Sequence, residues 1–168
     1  MVGEKLGVNI EFKEIDWDNK IPELDSQAID CVWYGMTRTD EVKSSMNCTK
    51  PYVINAQVVV MSADALDKYP TVESIADLTV AVEAGSAGAE VAAESGIKNL
   101  VEVDTQARAL TEVSSGSSDA CIIDLTMAQS MTGEGTSNST LGYKLELGEE
   151  EYGIAFAKDS ELTAKVLI

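Results

Sequence analysis

Apolar and polar residues alternate from Val8 to Ile15, the period of a half-buried strand, and a short helix is predicted over Ile21 to Ser26. Ile29 to Tyr34 reads as a buried strand. Thr39 then offers a capping oxygen to a helix running to about Ser45, with Asp40 and Glu41 in the first turn, where the helix dipole favours negative charge. The run Gln57 to Met61 is extended, with no helical period. Beyond it the pattern repeats: helix near Thr71 to Ala76, strand Thr79 to Glu83, turn Gly85 to Gly88, helix Ala89 to Glu94, strand Leu100 to Val103, helix Gln106 to Ser114, strand Ala120 to Asp124, helix Thr126 to Met131. This order predicts parallel βα units, an α/β sheet with helices on both faces. Thr132 to Thr140 reads as a surface loop, Tyr152 to Phe156 as a strand, and a last helix starts at Asp159.

Composition narrows what such a chain can do. Its 168 residues carry 12 basic and 29 acidic side chains, a net charge of −17 that repels phosphate backbones, so nucleic acid is not an expected partner. Hydrophobic residues make up 45% of the chain, enough for a core. No apolar run approaches the roughly 20 residues of a membrane span, and no export leader opens the chain. Histidine is absent and the cysteines are scattered, so a zinc site of the usual kind is excluded, and no metal or cofactor is expected. Cys31 and Cys48 read equally as two buried thiols or as one disulfide; spacing does not choose between them.

Several segments in order carry a resemblance. From Ile29 the chain reads Ile-Asp-Cys-Val-Trp-Tyr-Gly-Met-Thr-Arg-Thr-Asp-Glu, then Asn47-Cys48-Thr49-Lys50-Pro51-Tyr52. Upstream stand Asp16-Trp17 and Ile21-Pro22-Glu23-Leu24; downstream come the Gly85 turn, Asp119-Ala120 leading to Asp124, and Glu151-Tyr152-Gly153-Ile154-Ala155. Together they resemble the family 3 extracytoplasmic solute-binding proteins, the polar amino-acid receptors of ABC importers. The resemblance implies a two-lobed α/β fold of the type II periplasmic-binding-protein kind. Lobe 1, residues 1–52 and 148–168, would be incomplete; its first strand and most of its first helix are missing, and Leu167-Ile168 would stop inside a helix. Lobe 2 would span 57–147, with hinge strands near 52–56 and 147–152. The open edges of lobe 1 would invite pairing with another chain.

The resemblance also implies a role: capture of an amino acid or similar small zwitterion between the lobes and delivery to an ABC permease in the membrane. The place would be extracytoplasmic, in a periplasm or as a cell-surface lipoprotein of a Gram-positive bacterium. The site residues carried over are Trp17, Tyr34, Gly35, Met36, Thr37, Arg38, Glu83, Ser86, Ala87 and Asp124. Thr37 leaves a strand for a loop that opens a helix, and Ser86 and Ala87 lie at a strand-to-helix turn where unpaired N–H groups attract an anion. Asp124, at the end of a buried strand, would pair with the ligand ammonium; its bland role is a helix cap. Trp17 would wall the ligand side chain. Tyr34 and Trp33 point to opposite sides of a strand, so only one would do the same. Glu83 suits a cationic or amide-bearing ligand, or plain solvent.

One departure is sharp. Val42 stands where the family carries an arginine that forks onto the ligand carboxylate, which leaves backbone amides, Thr37 and Ser86 for that end. Arg38 is nearby but is expected to point into solvent. The expectation is a binding protein and not an enzyme. The rivals are a cyclohexadienyl-dehydratase-like enzyme on the same fold, which would have to work without histidine, and the sensing domain of a receptor.

Overall fold

The computed structural model describes residues 2–166. The chain divides into two compact units, Met1–Ile54 with Glu151–Ile168, and Asn55–Glu150. Both chain crossings between them fall within long strands, β2 (Val53–Ser62) and β6 (Leu141–Tyr152).

The larger unit is built on a five-stranded sheet in the order β4-β3-β5-β2-β6, with β3 at Thr79–Glu83, β4 at Asn99–Val103 and β5 at Ala120–Asp124. β3 runs parallel to β4 and to β5, as the repeated strand–helix pattern predicts. β2 runs antiparallel to β5, a correction to an all-parallel reading. Both faces are covered, which is why these strands are apolar at successive positions. Val58, Val60, Ala81, Cys121 and Ile123 pack to one side with α5 (Gln106–Ser114). Val59, Met61, Val80, Val82 and Ile122 pack to the other with α4 (Ala87–Glu94). The helix expected at Thr71 to Ala76 shrinks to a 3-10 turn, Glu73–Ile75. β6 begins at Leu141, well ahead of the hinge strand expected near 147–152. Its acidic run reads as solvated surface, yet it is the edge strand of this sheet, where one row of side chains faces water.

In the smaller unit the expected sheet is largely absent. β1 (Asn47–Cys48) and β7 (Ala155–Phe156) make a two-residue antiparallel ladder. Ile29 to Tyr34 contributes a single bridge, Val32 to Ala155, and Thr37 bridges Tyr152. Val8 to Ile15 forms no strand; Phe12 is 98% exposed, because an alternating sequence becomes a strand only where a neighbour takes its hydrogen bonds. The helices are α1 (Val2–Leu6), α2 (Lys20–Asp25), α3 (Asp40–Ser45) and α7 (Leu162–Val166). α3 starts where expected, with the Thr39 hydroxyl accepting from Val42 N at 3.3 Å. Leu24, Val32, Met36, Val42, Met46 and Ala155 form its main core. Leu167 and Ile168 lie outside the described residues. Cys31, Cys48 and Cys121 are all free thiols.

Candidate functional site

In the larger unit the polar residues gather at the C-terminal ends of β3 and β5, the edge at which open α/β sheets bind ligands. Asp124 closes the otherwise apolar β5 and is 7% exposed. It occupies the capping position of α6 (Leu125–Met131), yet its side chain makes no capping hydrogen bond. Instead Oδ1 accepts from Gln57 Nε2 at 2.6 Å, and Gln57 is its cross-strand partner on β2. The backbone N–H of Asp124 donates to Gln106 Oε1 at 3.1 Å. The carboxylate is thus held from the side while the helix start is served otherwise: Thr126 N donates to Asn55 Oδ1 at 3.2 Å.

Gln57 and Asn55 are the residues that motif reading missed. Both are buried, at 2% and 3% exposed, and both donate to Glu150 Oε1, at 3.0 and 2.5 Å. A signal existed: two carboxamides at alternate positions inside a run that is otherwise apolar point to one face, and a buried amide must be hydrogen-bonded.

The turn after β3 supplies the other half of the site. Gly85 has φ +65°, a conformation that favours glycine. Ser86 caps α4, its Oγ accepting from Ala89 N at 3.2 Å, and its own hydrogen remains a donor. Ala87 opens the helix, and Gly88 follows. A Cβ on Gly88 would stand 2.8 Å from Gln57 Oε1 and 3.2 Å from Ile122 O, so this helix start lies directly on β2 and β5. Glu83, half-buried, ends β3 beside the turn. The larger unit therefore joins a helix start carrying N–H donors to a buried carboxylate, with Gln57 touching both. Such a pair complements the two ends of a zwitterion.

The smaller unit places its candidate residues differently from expectation. Trp17 opens a 3-10 turn and packs on the core beside Ile21, but one face carries Lys20, whose Nζ lies 5.4 Å from the ring centroid. A cation already occupies that face. Tyr34 is 78% exposed while Trp33 packs inward against Phe156, and Tyr52 donates to Trp33 O at 2.8 Å. Gly35, at φ +67°, makes the turn into Met36, whose side chain is 1% exposed in the core; only its backbone is left for a ligand. Thr37 is half-buried. Arg38 is not solvated: it donates to Glu151 Oε2 at 2.6 Å, and its backbone N–H donates to Glu151 O. Its methylenes cover Gly153, where a Cβ would lie 2.8 Å from Arg38 Cδ. Val42 is buried at 1% exposure.

Burial raises the thiol pKa of Cys31, with Asp30 adding to it, and raises that of Cys48 against the opposing pull of Arg38 and Lys43. Among the described residues no group of three or more metal-binding side chains forms, and no helix is long and apolar enough to cross a membrane.

The family model for bacterial extracellular solute-binding proteins, family 3, matches residues 1–166. The chain is 33% identical over 175 residues to the arginine-binding extracellular protein ArtP of Bacillus subtilis (strain 168), covering 98% of this chain and 65% of the relative. It therefore spans less than two thirds of that relative's length. Holo ArgBP from T. maritima superposes with a TM-score of 0.87 at 30% identity, covering 97% of this chain and 72% of that one. The ancestral amino acid-binding protein AncCDT-1, a precursor of cyclohexadienyl dehydratase, superposes with a TM-score of 0.85 at 30% identity, over 98% of this chain and 71% of that one.

Proposed function

The chain belongs to the bacterial extracellular solute-binding proteins, family 3, and on that footing we propose that it binds an α-amino acid outside the cytoplasm and presents it to an ABC importer. The observation that carries the reading is Asp124, a buried carboxylate at a strand end that does not cap its own helix. It is assigned to the ligand ammonium. The ligand carboxylate is assigned to the start of α4, at Ser86 and Ala87, and to Thr37. Val42 is buried, so position 42 offers the carboxylate no donor, and Arg38 is engaged by Glu151 through one terminal nitrogen.

A ligand with a cationic or amide-bearing side chain is favoured, arginine first. Likeness to two arginine-binding proteins supports this, as does Glu83 at the end of β3. Trp17, Tyr34 and the Gly35–Met36 backbone are assigned to the ligand side chain. The two units are assigned to the two lobes, with β2 and β6 as the hinge strands. An extracellular place follows the family, and periplasmic or lipid-anchored placement is part of the same proposal.

A receptor without catalysis is the reading, since the curated relative is a binding protein. The likeness to a dehydratase precursor favours one further assay, turnover of prephenate or arogenate. The decisive experiment is calorimetry with the twenty amino acids, supported by thermal shift. Saturation at a hundredfold excess over Kd adds about 2.7 kcal/mol of stability. No heat and no shift with any of them would sink the proposal.

A further inference from the structure

We propose that Gln57 is a positioning residue: its side-chain amide holds the Asp124 carboxylate in the orientation that a ligand ammonium requires. The inference rests on the amino-acid reading above and adds to it a residue that no motif marks.

Gln57 lies in β2 ahead of the apolar run Val58 to Met61 and is 2% exposed, so its amide is out of water and its partners decide its orientation. Nε2 carries two hydrogens. One meets Asp124 Oδ1 at 2.6 Å and the other Glu150 Oε1 at 3.0 Å. With both acceptors on the nitrogen side, Oε1 turns to the opposite side, against Gly88. The amide is therefore wedged between the helix start and two carboxylates, and it cannot rotate without breaking a bond to one of them.

The chemistry of the donor matters. A carboxamide donates without carrying charge, so it fixes the direction of Asp124 Oδ1 and leaves the negative charge in place. An arginine or lysine at this position would neutralise that charge and compete with the ligand. Glu150, on the same nitrogen, adds a second negative charge, and Asn55 holds it at 2.5 Å. The arrangement leaves Asp124 Oδ2 for the ammonium.

The test compares L-arginine with 5-guanidinopentanoic acid, the same molecule without the α-amino group, by calorimetry on the parent chain and on Q57M, Q57L, D124N and the Q57M/D124N double variant. Q57M is expected to weaken arginine about tenfold, the scale of one lost charge-assisted hydrogen bond, while the deamino analogue changes less than about twofold. The double variant should bind arginine no more weakly than D124N alone, since removing the positioner of an absent charge costs nothing further. Q57L removes the same amide without touching the start of α4, and it gives the same readout if Q57M does not fold. Equal weakening of both ligands, or additive losses in the double variant, overturns the inference and leaves the amino-acid reading standing. A parent chain that binds no amino acid overturns the reading, and the inference with it.

Discussion

Glu150 and Glu151 are neighbours in β6, yet their carboxylates serve different units. Glu150 accepts from Asn55 and Gln57 in the larger one, whereas Glu151 accepts from Arg38 in the smaller. Successive side chains of a strand point to opposite sides, so one strand can hold both contacts where the chain passes from unit to unit.

Arg38 follows from this as a structural residue. Its guanidinium is only partly buried and Glu151 is half exposed, so the ion pair itself contributes about 1 kcal/mol or less. The methylenes over Gly153 add packing. R38M should therefore lose about 1 kcal/mol in urea unfolding and R38A about 2. G153A should cost at least as much as R38A, because its Cβ meets Arg38 Cδ. A neutral R38A would show that the arginine serves something other than this fold.

Installing the family arginine should fail. Val42 sits at 1% exposure among Leu24, Met36 and Met46, and a guanidinium there has neither water nor a partner. V42R is expected to lose more than about 3 kcal/mol and to gain no arginine affinity. Retained stability with tighter binding would mean that position 42 faces the ligand after all.

Cys121 predicts an alkaline limit to stability. Burial raises its pKa far above the ordinary thiol value. The unfolded chain ionises this thiol near pH 8.5 and the folded chain does not, so the contribution is whole below that pH and is lost as pH rises. The loss should approach about 1.4 kcal/mol per pH unit. C121A should flatten the fall in urea midpoint between pH 8 and 10; parallel curves for the two proteins would refute the assignment. A thiol reagent at pH 8 should likewise spare Cys121 until unfolding.

Ile122 tests the sheet that carries the site. It is fully buried on the α4 side of β5, two residues before Asp124. I122A should cost about 2–4 kcal/mol, measured by urea unfolding, with the Asp124 site lost only as the fold is lost. A cost under 1 kcal/mol would contradict the packing described.

Much of the larger unit was legible from its residues. β3, α5 and β5 stand where periodicity and turn chemistry put them, because a strand covered on both faces is apolar throughout and a helix declares its cap. Asp124 was legible too, as the polar end of the Ala120 to Asp124 strand. The failures share a cause. Val8 to Ile15 alternates as a strand does but has no partner among the described residues, while the acidic stretch of β6 looks unlike a strand and pairs at a sheet edge. Pairing is a property of two segments, and neither segment alone contains it.

The sequence by itself determined the order of strands and helices from β3 to α6, the family resemblance and the placement of a carboxylate and a glycine turn at strand ends, because these depend on local period and local backbone chemistry. Tertiary structure alone decided that Gln57 meets both Asp124 and Glu150, that Arg38 pairs with Glu151, and that Val42 is core. The hydrogen bonds join groups 67 to 113 residues apart, which only the folded chain brings within reach, and Val42 is core because α3 lays it against Leu24, Met36 and Met46.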